Sequence, residues 1–232
     1  MPMTHELIVD SVVVRFGEKT VVSGGYITAR TGSVTGLLGR NGVGKSCMFR
    51  ALMGGLKFDY VSVHVDGQPV DIGRIGRTVK YLPQGRMIPE GLTLKEAFRL
   101  YHVDFWAFVV LFPKYSGKYH THLWEMSGGE ARLAELYLVL MADAPFCILD
   151  EPFSQIDPVH IEAVQQLIRE KSREKGIIVT DHNYEAISTV ADRLFVLSDG
   201  YTHPVESRDD LVRHGYLLPQ SPWEIPGKCV FL

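Results

Sequence analysis

One eight-residue segment constrains the fold of this chain more than any other. Residues 39–46 read GRNGVGKS and fit the pattern G-x-x-x-x-G-K-[ST]. A short apolar run at 33–38, typical of a buried strand, precedes the segment, and 46–53 has the composition of a helix. A glycine-rich turn in this position directs backbone N–H groups and a helix N-terminus at one anion. The segment therefore predicts a nucleoside triphosphate site in which Lys45 reaches the β- and γ-phosphates and Ser46 ligates Mg²⁺.

Apolar strands and helices alternate along most of the chain. The predicted strands cover 7–16, 21–29, 33–38, 146–149, 177–180 and 193–197, and the predicted helices cover 46–53, 93–101, 104–112, 130–141, 158–175 and 185–191. Continuous apolar strands that alternate with helices indicate an α/β fold whose parallel sheet is covered on both faces.

Two regions depart from this alternation. The helices predicted between 84 and 145 interrupt it, so this range is interpreted as a helical subdomain inserted between two parts of one core, 1–83 and 146–232. Beyond Gly200 the sequence carries Pro204, Pro219, Pro222 and Pro226. We therefore predict loop and edge structure there, after a final strand at 193–197.

Composition narrows the class of protein. The 24 Lys and Arg residues against 27 Asp and Glu residues give a net charge of −3, which argues against broad electrostatic capture of nucleic acid. The longest apolar run, 105–112, is far shorter than the roughly 18 residues needed to cross a bilayer. The first six residues lack the features of a secretory signal, and Cys47, Cys147 and Cys229 fit neither a disulfide framework nor a metal motif. We therefore expect a protein of a reducing cytosol with no direct nucleic-acid partner.

Two acidic residues end the apolar strand at 146–149. The carboxyl end of a parallel strand lies in the crevice where such folds bind ligands, so Asp150 is expected to hold Mg²⁺. Glu151 is then positioned to polarise an attacking water as general base. The alternative is an ordinary acidic turn, because Asp-Glu-Pro is a common turn composition. The phosphate-binding loop favours the catalytic interpretation.

A third element, Ser127-Gly128-Gly129-Glu130, opens the helix predicted at 130–141. Ser127 suits the N-cap position, and the two glycines leave backbone N–H groups uncovered at the positive end of the helix. This pattern predicts a second anion site, although Ser-Gly-Gly is also common in plain loops.

In order and spacing, these elements resemble the ATP-binding cassette (ABC) ATPases over nearly the whole chain. Residues 39–46 are similar to the Walker A loop of that family, 147–151 to Walker B with its catalytic glutamate, and 127–130 to the family signature. The resemblance implies an α/β P-loop NTPase (RecA-like) core with a parallel sheet, an N-terminal antiparallel β part and a short inserted helical subdomain.

The resemblance also implies individual roles. Gln84 resembles the Q-loop glutamine that helps to hold Mg²⁺ and water, and His182 resembles the switch histidine that contacts the γ-phosphate. Phe16 matches the aromatic that stacks on adenine, where the family usually has tyrosine. Each alone has a simpler alternative as a loop or core residue, and only their joint order favours the functional interpretation. The implied nucleotide contacts are Phe16, Gly39, Arg40, Asn41, Gly42, Val43, Gly44, Lys45, Ser46, Cys47, Ser127, Gly128, Gly129, Glu130 and, in the D-loop at 154–157, Asp157.

The chain departs from the family pattern at its signature. Met126 stands where leucine is usual, and this change of similar volume is expected to pack acceptably. Glu130 stands where glutamine is usual; its charge suits the helix dipole but opposes phosphate oxygens. We expect a weaker contact there, not a lost one. The short stretch from Gln84 to Ser127 further indicates a trimmed helical subdomain.

In the resembled family, two cassettes face head to tail with ATP between the Walker A loop of one and the signature of the other. The resemblance therefore implies ATP and Mg²⁺ as cofactors, a second ABC ATPase chain and a separate transmembrane permease as partners, and a cytoplasmic location on the inner face of the membrane. The aromatic helix at 104–112 is a candidate docking surface, and burial within the helical subdomain is its alternative.

Three functional hypotheses remain open at this point. The chain is an ATPase subunit of a transporter, a soluble cassette ATPase that serves a cytosolic assembly or maintenance complex, or a nucleotide-binding regulator that does not hydrolyse ATP. Glu151 and His182 count against the regulator. The absence of a basic extension weakens a role in nucleic-acid maintenance.

Overall fold

The structure is a computed structural model that describes residues 4–182 and 184–218. Within this part of the chain, ten strands are β1 (Glu6–Phe16), β2 (Lys19–Arg30), β3 (Val34–Leu38), β4 (Tyr60–Val65), β5 (Gln68–Pro69), β6 (Val79–Leu82), β7 (Phe146–Asp150), β8 (Gly176–Thr180), β9 (Arg193–Ser198) and β10 (Tyr201–Val205). The α-helices are α1 (Lys45–Leu52), α2 (Leu94–Leu100), α3 (Phe105–Leu111), α4 (Gly128–Met141), α5 (Pro158–Ser172), α6 (Tyr184–Ser188) and α7 (Arg208–Arg213).

The strands form one mixed sheet in the order β5-β4-β1-β2-β10-β9-β3-β8-β7-β6. The run β9-β3-β8-β7-β6 is parallel, and every residue of β3, β7 and β8 is buried. Alternate side chains of β7 enter different cores: Phe146 and Ile148 pack with α1, whereas Cys147 and Leu149 pack with α4 and α5. Burial on both faces explains the continuous apolar runs and confirms the predicted parallel sheet.

The N-terminal part of the sheet is antiparallel, as the family resemblance implies. β1 pairs antiparallel with β2 and β4, and β4 pairs in the same sense with β5. Strands β4, β5 and β6 were not predicted. Two of them are very short, and β4 is only partly buried, so none produces a clear run of alternating or continuous apolar residues.

The prediction of loop structure directly after Gly200 is wrong. β9 continues through a two-residue turn, with φ of 51° at Asp199 and 83° at Gly200, into β10, and α7 follows. Asp-Gly is a strong hairpin signal, but Pro204 argued against a strand. Its side chain lies at an exposed position of β10, where a proline is tolerated. Pro219, Pro222, Pro226 and Cys229 lie outside the described residues.

Between β6 and β7 the chain forms α2, α3 and α4, close to the predicted bounds. Phe108 of α3 is buried, with its ring centroid 5.2 Å from Phe98 and 4.9 Å from Tyr137 of α4. The opposite face of α3 exposes Trp106 and Val110, the latter by 78%. The helix therefore combines the predicted burial with an exposed apolar face. Of the helices described, none has the length and apolarity to cross a membrane.

The strand register brings the predicted site segments to one edge of the sheet. Thr180 of β8 is level with Leu37 of β3 on one side and with Asp150 of β7 on the other. Leu82 of β6 is level with Leu149. Because parallel strands end at the same edge, the segments after β3, β6, β7 and β8 meet there.

Candidate active site

The glycine-rich segment forms a tight loop between β3 and α1. Gly44, the N-cap residue of α1, has φ of 117°. A Cβ atom there would lie 2.9 Å from Cγ1 of Val21, closer than real Cβ contacts. Both the backbone conformation and the packing therefore require glycine at this position.

Lys45 lies within this loop, with only 5% of its surface exposed. Its Nζ donates to the carbonyl oxygens of Gly39 at 2.6 Å and Arg40 at 3.3 Å. Burial lowers the pKa of Lys45, and the negative charges of Glu151, Asp150 and Asp181 oppose this shift. The lysine of the loop and the acids at the end of β7 therefore occupy one site.

Asp150 is fully buried at the end of β7. Its Oδ2 accepts a hydrogen bond of 3.0 Å from the Tyr81 hydroxyl, whereas its Oδ1 has no hydrogen-bond partner in the described part of the chain. Burial raises the pKa of Asp150, and the nearby hydroxyls of Ser46 and Tyr81 counteract this effect. Tyr81 was not predicted as a site residue from the sequence. The parallel pairing of β6 with β7 sets Tyr81 level with Ile148, so its hydroxyl reaches the Asp150 carboxylate at the end of β7.

The oxygen donors at this point fit Mg²⁺. A carboxylate oxygen without a partner beside a serine hydroxyl offers the hard ligands that Mg²⁺ prefers, and phosphate oxygens and water commonly complete its octahedron. Among the described residues, no group of three or more His, Cys, Asp or Glu side chains could hold a metal by itself. The Asp150 carboxylate and the Ser46 hydroxyl are residues that could hold Mg²⁺ at this point.

Glu151 follows Asp150 in the left-handed region, with φ of 51°. This conformation ends the alternation of strand side chains, so consecutive carboxylates both lie near Lys45. The Glu151 Oε2 accepts a hydrogen bond of 2.9 Å from Gln84 Nε2 and lies 3.8 Å from Nδ1 of His182. The structure thus brings together the three residues predicted for catalysis.

The segment at 127–130 caps α4. The Ser127 hydroxyl accepts from the Glu130 N–H at 3.2 Å, and a Glu130 carboxylate oxygen accepts from the Ser127 N–H at 3.1 Å. The other carboxylate oxygen of Glu130 pairs with Lys118 Nζ at 2.5 Å. The hydrogen bond from Lys118 is the main reason why the pKa of Glu130 is lowered. The acid that departs from the family pattern is therefore neutralised within the chain.

The phosphate loop and the 127–130 segment line different cavities. A cavity of about 630 Å³ is lined by Gly39, Arg40, Asn41 and His182 among others. A second cavity of about 710 Å³ is lined by Ser127, Gly129, Glu130, Gln155 and Asp157 among others. The two share no lining residue. Phe16 lies at the end of β1, half exposed, and lines neither cavity.

Two charged residues of α4 were also not predicted from the sequence. Arg132 and Glu135 are buried and contact the segments that carry Gln84 and Glu151. Their spacing of three residues, within the otherwise apolar stretch of α4 after Glu130, was the available signal.

Comparison with known proteins identifies the family. The family model described as "ABC transporter" matches residues 24–154. An uncharacterized ABC transporter ATP-binding protein of Rhizobium meliloti (strain 1021) is 32% identical over 84% of this chain and 77% of its own length. The lipopolysaccharide export system ATP-binding protein LptB of Haemophilus influenzae is 28% identical over 84% and 87%, respectively.

A solved structure titled "Structure of ATP binding subunit of ABC transporter" shares the fold. The superposition covers 89% of this chain and 92% of the solved chain, with a TM-score of 0.74 and 22% sequence identity. The family match includes the phosphate loop, the 127–130 segment and the acids of β7, whereas Phe16, Asp157 and His182 lie outside it. This chain therefore belongs to the ABC transporter family and is an ATP-binding ATPase with a role in ATP-driven transport.

Proposed function

We propose that this chain binds Mg-ATP, dimerises around it with a second ABC ATPase chain, and hydrolyses it at Glu151 to power a separate transmembrane permease. The observation that carries the proposal is the convergence of Gln84 and His182 on the Glu151 carboxylate beside Lys45. A base, its hydrogen-bonded partner and a phosphate-binding lysine in one site suit phosphoryl transfer to water.

Binding begins at the loop 39–46. Its backbone N–H groups and the N-terminus of α1 hold phosphate oxygens, and Lys45 exchanges its two carbonyl contacts for the β- and γ-phosphates. Phe16 is exposed enough to stack on adenine. When bound at Ser46, Gln84 and Asp150, Mg²⁺ would neutralise charge on the phosphate oxygens.

Hydrolysis depends on the orientation of Glu151. The Gln84 amide holds the carboxylate through Oε2, so the second oxygen is left to accept a proton from the attacking water. His182 is 55% exposed and its Nδ1 lies 3.8 Å from Glu151 and 3.4 Å from Asp181, which supports a role for its ring in contact with the γ-phosphate.

The separation of the two cavities supports dimerisation. The phosphate loop and the capped end of α4 line two cavities without a common residue, which supports a nucleotide site completed by a second chain. In a head-to-tail dimer, the 127–130 segment of each chain completes the nucleotide site of the other, together with Asp157. Removal of the γ-phosphate then weakens the contact between the chains.

The names of similar proteins support a membrane partner. Relatives are named lipopolysaccharide export system ATP-binding proteins, and one structural neighbour is a bacterial Atm1-family ABC exporter with ATP bound. The exposed apolar face of α3, within the proposed helical subdomain at 84–145, suits contact with a permease. This partner would keep the chain in the cytoplasm at the inner face of the membrane.

The variant Glu151→Gln tests the proposal. It keeps the size and the hydrogen bond with Gln84 but removes the base, so kcat is expected to fall ~10²–10⁴-fold. ATP and Mg²⁺ should then trap a dimer, measured by light scattering after size-exclusion chromatography. Glu162→Gln on the exposed side of α5 makes the same chemical change and should behave as wild type. Wild-type turnover by Glu151→Gln, or its failure to dimerise with ATP, would contradict the proposal.

A further inference from the structure

Two charged side chains are buried in the apolar helix α4. Arg132 is 4% exposed and Glu135 is 1% exposed, and residues three apart lie on one side of a helix. Buried charges are retained only where hydrogen bonds and a partner charge compensate for lost hydration. Their contacts therefore indicate what they hold in place.

Arg132 joins two segments of the active site. Its Nη1 donates to the carbonyl oxygen of Pro83 at 2.5 Å. Its Nη2 donates to the carbonyl oxygens of Asp150 at 2.5 Å and Glu151 at 3.0 Å. One rigid guanidinium thus connects the residue before Gln84 with the backbone of both site acids.

Glu135 holds the other end of the segment that carries Gln84. Its Oε1 accepts from the N–H groups of Met87 at 2.9 Å and Ile88 at 3.0 Å. Burial lowers the pKa of Arg132, and the charge of Glu135 is the largest opposing influence. The charge of Glu135 therefore offsets the burial of Arg132. Hydrogen bonds from the two side chains hold both ends of the segment 83–88.

We propose that Arg132 and Glu135 are a positioning pair for ATP hydrolysis, which keeps the Gln84 amide at hydrogen-bond distance from the Glu151 carboxylate. This inference rests on the proposed function of Glu151. Neither residue needs to touch the nucleotide. Because the same helix begins at the 127–130 segment, a shift of α4 when a second chain binds there would be transmitted to Gln84 through the two side chains.

A merely structural role predicts a different result. If the pair only satisfied buried polar groups, its loss would lower the melting temperature and leave the kcat of the folded protein unchanged. A positioning role predicts that kcat falls while ATP affinity stays constant, because only the geometry of the base is disturbed.

The conservative variant Arg132→Lys tests the first residue. Lysine keeps the charge, but its single Nζ cannot reproduce the planar fork that reaches both segments. We expect kcat to fall about tenfold or more, with the Kd for ATP within about twofold of wild type. Arg173→Lys makes the same change at an exposed position at the end of α5 and should match the wild-type protein. A folded Arg132→Lys protein with wild-type kcat would overturn the proposal.

Glu135→Gln keeps the proposal testable if Arg132→Lys does not fold. Glutamine retains an oxygen for the Met87 and Ile88 N–H groups, so folding is favoured, but it removes the partner charge of Arg132. A kcat reduced at constant Kd would support positioning.

The double variant Glu135→Gln, Gln84→Ala tests whether the pair acts through Gln84. If it does, Glu135→Gln should lower kcat little further once Gln84 is already replaced. A full additional loss of kcat there would refute the role. Absence of ATPase activity in the wild-type protein would instead contradict the proposed function, so the two failures are distinguishable.

Discussion

The variant Tyr81→Phe removes one hydroxyl that donates to the fully buried carboxylate of Asp150 at 3.0 Å. A hydrogen bond to a charged group contributes ~1.5–3 kcal/mol to stability. The Ser46 hydroxyl and the charge of Lys45 also favour the ionised carboxylate and stay in place, so the variant loses only the contribution of Tyr81. For a domain of this size the expected fall in melting temperature at neutral pH is about 3–12 °C.

The effect should depend on pH. Burial has already raised the pKa of Asp150 in the folded chain, and loss of the Tyr81 hydroxyl raises this pKa further, because that group favours the ionised carboxylate. An acid with a raised pKa in the folded state destabilises the fold when it is ionised, so the difference is fully present above that pKa. It decreases as pH falls toward the ordinary value of 3.8, where Asp150 is protonated.

Thermal melting of the nucleotide-free protein between pH 5 and 8 measures this difference. Tyr60→Phe is the matched control, because the Tyr60 side chain is 56% exposed on β4 and makes no hydrogen bond in the described structure. Equal melting temperatures for Tyr81→Phe and wild type at neutral pH would refute the reasoning. A difference that grows toward acid pH would refute the assignment of the cause to the ionised carboxylate.

Two further outcomes test the second cavity. Lys118→Met removes the 2.5 Å ion pair that neutralises Glu130 in the 127–130 segment. The loss of about 1 kcal/mol of interaction energy is expected to weaken ATP-dependent dimerisation about fivefold. Adding Glu130→Gln to the same chain removes the unpaired charge and should restore dimerisation. Restoration would fail if Lys118 acted in some other way. Gly129→Ala places a Cβ against the carbonyl oxygen of Gln155, so this variant is expected to lose ATP-dependent dimers. Gly117→Ala is the control and should retain the dimers, because a Cβ there meets no described atom within 4 Å. Dimers formed by Gly129→Ala at wild-type ATP concentrations would contradict this view of the cavity.

Local sequence patterns predicted the strands that are buried on both faces of the sheet. β3, β7 and β8 are buried on both faces, and therefore read as apolar runs that any sequence analysis detects. β5 is two residues long and pairs only at the edge of the sheet, so its existence depends on β4 and not on its own composition. β10 was missed because Pro204 outweighed the Asp199-Gly200 turn, although an exposed position tolerates proline.

The residues of the candidate site likewise fall into those that the sequence predicted and those that it did not. The loop 39–46 is contiguous, so its chemistry could be predicted from one segment, and family resemblance supplied Gln84 and His182. Tyr81 contacts Asp150 across 69 positions of sequence, through a strand that was not predicted. Nothing in the sequence next to Tyr81, between Lys80 and Leu82, distinguishes it from any other tyrosine.

Glu151 shows how such distant contacts bear on the chemistry. Its φ of 51° is unfavourable for a residue with a side chain and costs about 1–3 kcal/mol unless surrounding contacts fix it. The Glu151 N–H donates to the Thr180 carbonyl at 2.7 Å, and its own carbonyl accepts from Arg132 at 3.0 Å. Both peptide groups that flank the strained Cα are therefore held by other segments. Since the carboxylate extends from that Cα, the direction of the proposed base is set by β8 and α4 as much as by the strand on which it lies.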